Sequence, residues 1–343
     1  MLLALLAFQV LTTMASADPF AFFQPSATFT ADERTQLDRG QPIARVLPGK
    51  DLEVAVLAAV PVNIDANRLV AWMRRIEELK KSAYVLAIGR FSDPPRMENL
   101  AGLALDDEEL SEIRTCRPGS CGLKLSASEM TQLQKAATGA EGGWKPAVQD
   151  AFRGVLLKRV QAYLTNGDVA AYDDQQRHVW PATRFASILD HSVFLTQRLP
   201  RLAEHLRDYP LTVAPGVESF VYWSKERLAS KAIISITHVT IVRSHDPGLP
   251  EVLVAAKEIF STHYVNASLG VTALMRGDPG GSSYLVYVNR SEVDVLHGVF
   301  GGLIRWFMQR RLKGEAANVL QGLRRRLESG DPSAVVATGT PYD

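Results

Sequence analysis

Five strand-like stretches follow one another between Val217 and Ser291, joined by turns too short for anything but hairpins. They read "VESFVYWSKERL", "KAIISITHVTIVRS", "VLVAAKEIFSTHYV", "SLGVTALMRG" and "SYLVYVNRS". Each is rich in β-branched and aromatic residues, the composition that suits a pleated, half-buried surface. A connection such as "GDPGGS" leaves no room for a crossover, so neighbouring strands are expected to pair antiparallel. A sheet of this extent must cover its apolar face with another layer, and this requirement constrains the rest of the chain.

The first part of the chain adds to the same sheet. "QPIARVLP" and "LEVAVLAAVPVN" read as two strands turned by Pro48-Gly49-Lys50-Asp51. Ahead of them, Thr30 with Glu33 three residues on is a capping-box signature. "DANRLVAWMRRIEELKKS" places Leu69, Trp72, Met73 and Ile76 at helical spacing, and "AYVLAIGRF" follows as another strand. From about Met97 to about Asp208 the pattern turns mostly helical. Its clearest pieces are "LDDEELSEIR", "SASEMTQLQKAA", "WKPAVQDAFRGVLLKRVQAYL" and "FLTQRLPRLAEHLRDY". Strands, a helix, more strands and a closing helix define an α+β chain with an antiparallel sheet. The 343 residues suffice for a sizeable core.

The best cover for the sheet is the stretch "VDVLHGVFGGLIRWFMQRRLK", read as a helix from Val293. Leu296, Phe300, Leu303 and Phe307 form one apolar stripe along it. Gly298, Gly301 and Gly302 fall together on another side, and each costs roughly 1 kcal/mol relative to alanine in a helix interior. Close approach of another backbone, space left for a ligand, or a break at Gly301-Gly302 would each account for them.

This ending, "YLVYVNRSEVDVLHGVFGGLIRWFMQRRLKGEAANVLQGLRRRLES", resembles the close of START-type lipid-transfer domains of the helix-grip (SRPBCC) superfamily. Gly301, Gly302, Leu303, Trp306, Leu320, Leu323 and Arg324 occupy the matching positions. The proline that usually follows the glycines is replaced here by Ile304 and Arg305. "EVAVLAAVPVNIDANRLVAWMRRI" resembles the family's early strand and helix, whereas the helical middle has no counterpart. The resemblance implies a curved antiparallel sheet wrapped around a long C-terminal helix, enclosing an apolar cavity for a sterol, phospholipid or similar ligand. On that reading, residues 1–17 are a signal, 18–330 the helix-grip domain with a helical insertion over about 97–212, and 331–343 a disordered tail.

Candidate contacts to such a ligand come from strand alternation. Ile234, Ile236, His238 and Thr240 share one face of their strand. Phe260, Thr262, Tyr264 and Asn266 are expected to face opposite to Ile259, Ser261, His263 and Val265. Tyr284, Val286, Val288 and Arg290 alternate with Leu285, Tyr287 and Asn289. The candidate set comprises Tyr222, Trp223, His238, His263, Tyr264, Tyr287 and Arg290 from the strands, and Phe300, Leu303 and Phe307 from the helix, with Gly298, Gly301 and Gly302 as a gate. Each has a plainer reading. The histidines suit hydrogen-bonded core positions, the aromatics suit strand packing, and Arg290 suits an ion pair with Glu292 or Asp294.

No G-x-S-x-G elbow, P-loop, G-x-G-x-x-G or H-E-x-x-H is present, and no catalytic residue, metal site or cofactor is expected. "YDDQQRH", Tyr172 to His178, reads as a polar helix end rather than a metal or acid–base group. An enzyme of the same fold acting on a hydrophobic substrate, with His238 and His263 as its polar groups, is a second reading. An envelope interaction protein with a filled cavity is a third.

The formal net charge of +1 gives no global field for nucleic acid. Arg305, Arg310, Arg311, Lys313 and Arg324 to Arg326 form a local basic excess, which suits transient contact with an anionic membrane surface or a solvated helix face. The apolar run Leu2–Leu11, followed by Ala15-Ser16-Ala17, has the form of an export signal cut before Asp18, though without a basic start. Cys116 and Cys121, in "CRPGSCG", suit a small disulfide loop that stabilises by about 2 kcal/mol. Both signals point to a periplasmic or secreted protein.

Overall fold

A computed structural model describes residues 18–138, 143–174, 177–228, 231–277, 282–296 and 317–329. The first helix, α1 (Ala31–Asp38), opens with the expected capping box: Thr30 Oγ1 accepts from the Glu33 amide at 3.2 Å, and Glu33 accepts from the Thr30 amide at 2.8 Å. Strands β1 (Ile43–Leu47) and β2 (Glu53–Val62) form a hairpin. Every residue of β2 is buried, so both faces of the sheet are covered along it. Asp65 caps α2 (Ala66–Arg74), and α3 (Ile76–Leu79) continues from it. The helical period buries Leu69, Trp72, Met73 and Ile76 as expected. β3 (Val85–Arg90) follows.

Between β3 and the next long strand come α4 (Asp107–Thr115), α5 (Ala127–Thr138), α6 (Trp144–Asn166), a ribbon of β4 (Tyr172–Asp174) and β5 (Arg177–Val179), α7 (Pro181–His191), α8 (Val193–Arg198) and α9 (Pro200–Asp208). Two expectations need correction here. The stretch from Tyr172 to His178 is a hairpin, not a helix end. Period-two alternation buries Tyr172 and Val179 as a cross-strand pair, while Asp173 turns outward to accept the Ala127 amide and to meet His178 at 2.9 Å. "FLTQRLPRLAEHLRDY" is two helices, because Pro200 has no amide to continue the first and instead starts the second.

The five long strands are β6 (Glu218–Leu228), β7 (Lys231–Arg243), β8 (Val252–Ser261), β9 (Val265–Met275) and β10 (Ser283–Val293). The sequence run Val252 to Val265 does not form one strand. It turns at Thr262–Tyr264, with Tyr264 at φ 60°, so the face assignment of Thr262, His263 and Tyr264 by simple alternation does not hold. The expected helix does not start at Val293. Val293 is the last residue of β10, and Asp294–Leu296 form a 3-10 turn. Phe300, Leu303, Phe307 and the glycines Gly298, Gly301 and Gly302 lie outside the described residues. Residues 317–329 form a helix, α10.

The sheet has eight strands in the order β1-β2-β10-β9-β8-β7-β6-β3, with every neighbouring pair antiparallel. On its first face, Leu57, Leu253, Leu269 and Val288 pack against Phe185, Leu189 and Phe194 of α7 and α8 and against Phe22 and Phe23 ahead of α1. Farther along the same face, Val221, Trp223, Ile234 and Ile236 meet Phe152 and Val155 of α6. On the second face, Val60, Val254, Leu274 and Leu285 pack against Leu69, Trp72 and Leu79 of α2 and α3 and against Leu320 and Leu327 of α10. Arg68 donates to the Leu327 carbonyl and Arg326 to that of Leu79, which ties α10 to the α2–α3 layer.

Candidate functional site

Pairing across the strands arranges the second face in rows. One row is apolar: Val252, Leu274, Leu285 and Val60. The next runs Ile241, Val254, Thr272, Tyr287 and Ala58. A third is mostly small: Val239, Ala256, Gly270 and Asn289. A fourth is polar: Tyr222, Thr237, Glu258, Ser268 and Ser291. Within about six residues of strand, roughly 20 Å, the face passes from aliphatic to hydrogen-bonding. The α2–α3 layer and α10 cover the aliphatic end.

Over the middle and polar rows the floor keeps accessible surface. Ala256, Glu258, Thr272, Tyr287 and Asn289 are all half-buried, although they stand on the interior strands β8, β9 and β10. Protein nonetheless surrounds Glu258 and Tyr287 closely enough that burial is the first cause of both their shifts. It raises Glu258 to about 7 and Tyr287 to about 12. Deep placement with retained accessible surface describes a recess rather than a solid core. The Tyr287 side chain lies over its centre: a Cβ at Gly270 would stand 3.5 Å from the phenol oxygen. Gly270 and Ala256 therefore form a low floor beneath that ring.

Most polar groups of the recess hold one another. Lys80, just past α3, meets Glu226 at 2.5 Å and donates to the Tyr222 hydroxyl at 3.3 Å. Burial opposes the Lys80 charge, but Tyr222 and Glu226 outweigh it and leave the amine raised. Burial likewise opposes the Glu226 charge, and Lys80 and Ser224 hold that carboxyl below its usual range. Ser268, Asn289 and Ser291 bond to one another at 2.8–3.2 Å, and Asn289 also meets the Tyr287 hydroxyl. Glu258 differs. Among the described residues its partner is the Ser235 hydroxyl, and it makes no ion pair.

The sequence-derived candidates divide between the faces. Tyr222 and Tyr287 are in the recess. Trp223, His238 and Arg290 are on the opposite face. The Trp223 indole is packed beneath the helices and donates to the Asn99 carbonyl at 2.7 Å. Arg290 pairs not with Glu292 or Asp294 but with buried Glu53 at 2.5 Å, and His191 meets the other oxygen of that carboxylate at 2.7 Å. His263 sits in the turn after β8 and contacts the Gly122 carbonyl at 3.1 Å, while Tyr264 in the same turn accepts the Asp294 amide. The Cys116–Cys121 disulfide is formed, with Cα atoms 5.4 Å apart. The recess residues that sequence reasoning missed are Lys80, Thr237 and Glu258. The available signal was a carboxylate in the inward period of a strand, Val252, Val254, Ala256, Glu258, where an aliphatic residue would be the rule.

His238 belongs to a second polar cluster on the first face. Its Nδ1 is 2.8 Å from the Tyr163 hydroxyl, its ring lies 4.4 Å from that of Tyr209, and its Nε2 has no hydrogen-bond partner among the described residues. Lys257 donates to the Leu206 carbonyl at 2.7 Å, and His205 approaches Thr240 at 3.2 Å. Burial lowers His238 to about 3 and Lys257 to about 8; it lowers His205 and raises Tyr163 as well. His205, His238 and Lys257 are at most 3% exposed, so this cluster is sealed between helices and sheet and offers a substrate no approach. Among the described residues no three His, Cys, Asp or Glu side chains converge on a metal-sized point. None of the described helices is long and apolar enough to cross a membrane. Of the basic run in α10, Arg324 meets Glu328 and Arg326 reaches the Leu79 carbonyl, while Arg325 is exposed.

No family model matches the chain, and no curated protein does. Among solved structures, a crystal structure of a protein from Thermus thermophilus is similar over 47% of this chain and 93% of its own, at 14% identity and a TM-score of 0.25. A likeness of that size carries no argument about function.

Proposed function

We propose that the protein binds or carries a lipid-like small molecule in the recess on the second face of the sheet. The single observation behind this reading is the half-buried floor around Tyr287 and Glu258, aliphatic at one end and hydrogen-bonding at the other, in the middle of an eight-stranded sheet. An amphipathic molecule matches that gradient, with apolar contact supplying most of the affinity and a few polar groups setting its orientation. Burying about 400 Å² of ligand at roughly 25 cal/mol per Å² gives on the order of 10 kcal/mol before ordering costs. The α10 helix packed on the same face supports a helix-grip arrangement of the START type, with the glycines 298, 301 and 302 as its gate. The Cys116–Cys121 disulfide is compatible with an oxidising compartment and supports export to the periplasm or medium. A carrier there collects its cargo by transient contact with a membrane surface.

The test is organic extraction of purified protein followed by mass spectrometry, together with titration of a fluorescent hydrophobic probe. A co-purified amphiphile, or a probe that Ala256→Trp excludes by filling the floor, supports the reading. Protein that is empty and binds no hydrophobic probe overturns it.

A further inference from the structure

Among the described residues, the recess contains one carboxyl that makes no ion pair, although Lys124 and Lys80 act on it at longer range. Lys80 and Glu226 neutralise each other at 2.5 Å. Lys124 is held by Asp294 at 2.8 Å and by Asn266, and on the opposite face Arg290 is held by Glu53. That leaves the Glu258 carboxyl, set between the Thr237 and Ser268 positions of the neighbouring strands and bonded to the Ser235 hydroxyl. The register slips beside it, where Ile259 is the extra residue of a β-bulge between the Glu258–Thr237 and Phe260–Ile236 pairs. Bulges re-aim side chains and gather next to functional sites. Burial disfavours the charged form of this carboxyl, and Lys124 and Lys80 act on it without forming an ion pair. The same strand position filled by an aliphatic side chain would extend the row of Val252 and Val254.

We propose that Glu258 is the ligand-orienting residue of the recess, and that the ligand is an amphiphile whose head carries a basic nitrogen. Its apolar body lies over the low floor of Ala256 and Gly270, with the Tyr287 ring against its side, and its ammonium group meets the Glu258 carboxylate. The hydroxyls of Ser235 and Thr237 stand beside the pair to complete its hydrogen bonds. The Lys80–Glu226 pair, already neutral, contributes no competing charge. This deepens the binding reading and rests on it.

Three probes of one chain length separate the two ideas: dodecylamine, dodecanol and dodecanoate, each displacing a fluorescent hydrophobe from the full-length protein below its micelle concentration. Wild-type protein is expected to bind dodecylamine about tenfold or more tighter than dodecanol, and dodecanoate weakest. Glu258→Gln is expected to bring the amine to within about threefold of the alcohol while leaving the alcohol unchanged. Equal affinities for all three in wild type, a preference for dodecanoate, or an amine preference that survives Glu258→Gln overturns the assignment of Glu258 but leaves a binding recess. Failure of all three to displace the hydrophobe overturns the recess and the assignment together. The wild-type order alone decides the matter if the Gln variant does not fold.

Discussion

Single residues carry unusual electrostatic weight in this protein, and those of the first face act on stability. His238 is neutral in the fold because burial removes the water its cation would need, and the charges of Lys257 and His205 add to the effect. Its folded value, about 3, lies below the ordinary 6.5, so the unfolded chain binds more protons throughout the interval between them. The stabilisation is therefore complete above about pH 6.5 and is lost as pH falls toward 3. Between pH 6.5 and 4 this one ring should cost about 3 kcal/mol. Urea denaturation at a series of pH values checks it, with His238→Gln, which cannot titrate, showing a shallower fall over the same range. Lys257 gives the corresponding slope at alkaline pH, with stability rising from about 8 toward 10.5. Lys80 follows the opposite logic because it gains a carboxylate partner.

At the scale of elements, close packing decides where a side chain is tolerated. Gly89 on β3 lies under the Trp223 indole, and a Cβ there would stand 2.8 Å from the ring. Gly89→Ala forces that fully buried ring to move. A loss of about 1–3 kcal/mol is expected in thermal or urea unfolding. Gly270, also mid-strand, is a control: its Cβ would meet Tyr287 and Ala256 at 3.5–3.7 Å, ordinary contact. Gly270→Ala should keep the fold within about 1 kcal/mol of wild type, or stabilise it by limiting the unfolded chain. Element identity was legible wherever a period was long and uninterrupted. The Thr30 capping box, the helix through Leu69 and Trp72, and the β1–β2 hairpin follow from local pattern. Local pattern failed where a short segment answers to tertiary contacts. Tyr172–Val179 pairs as a ribbon because Asp173 serves the α5 amide end. Tyr264 takes a turn conformation inside what the sequence presents as a continuous strand.

At the scale of the whole molecule, one sheet carries two unlike layers. The N-terminal segment and the helices between β3 and β6 close its first face, whereas among the described residues α2, α3 and α10 cover the aliphatic end of the second. α10 thus joins the far end of the chain to the beginning, through Leu320, Leu327 and the Arg68 and Arg326 hydrogen bonds. Leu327→Ala removes a fully buried side chain from that junction and should cost about 2–5 kcal/mol in equilibrium unfolding. The same change is expected to raise hydrogen exchange in α2 above that in the β7–β8 pair. The sequence by itself determined the α+β class, the antiparallel pairing of the long strands and the disulfide loop, because period, turn length and cysteine spacing act over a few residues. It also set which residues alternate along β7 and β10. Only the tertiary structure decided which face of the sheet is sealed and which is recessed. It placed Tyr222 and Tyr287 with Glu258 rather than with His238, and it gave Arg290 to Glu53. Alternation sorts a strand into two sets but does not say what packs against either, because that depends on strands and helices far apart in the chain meeting at one register.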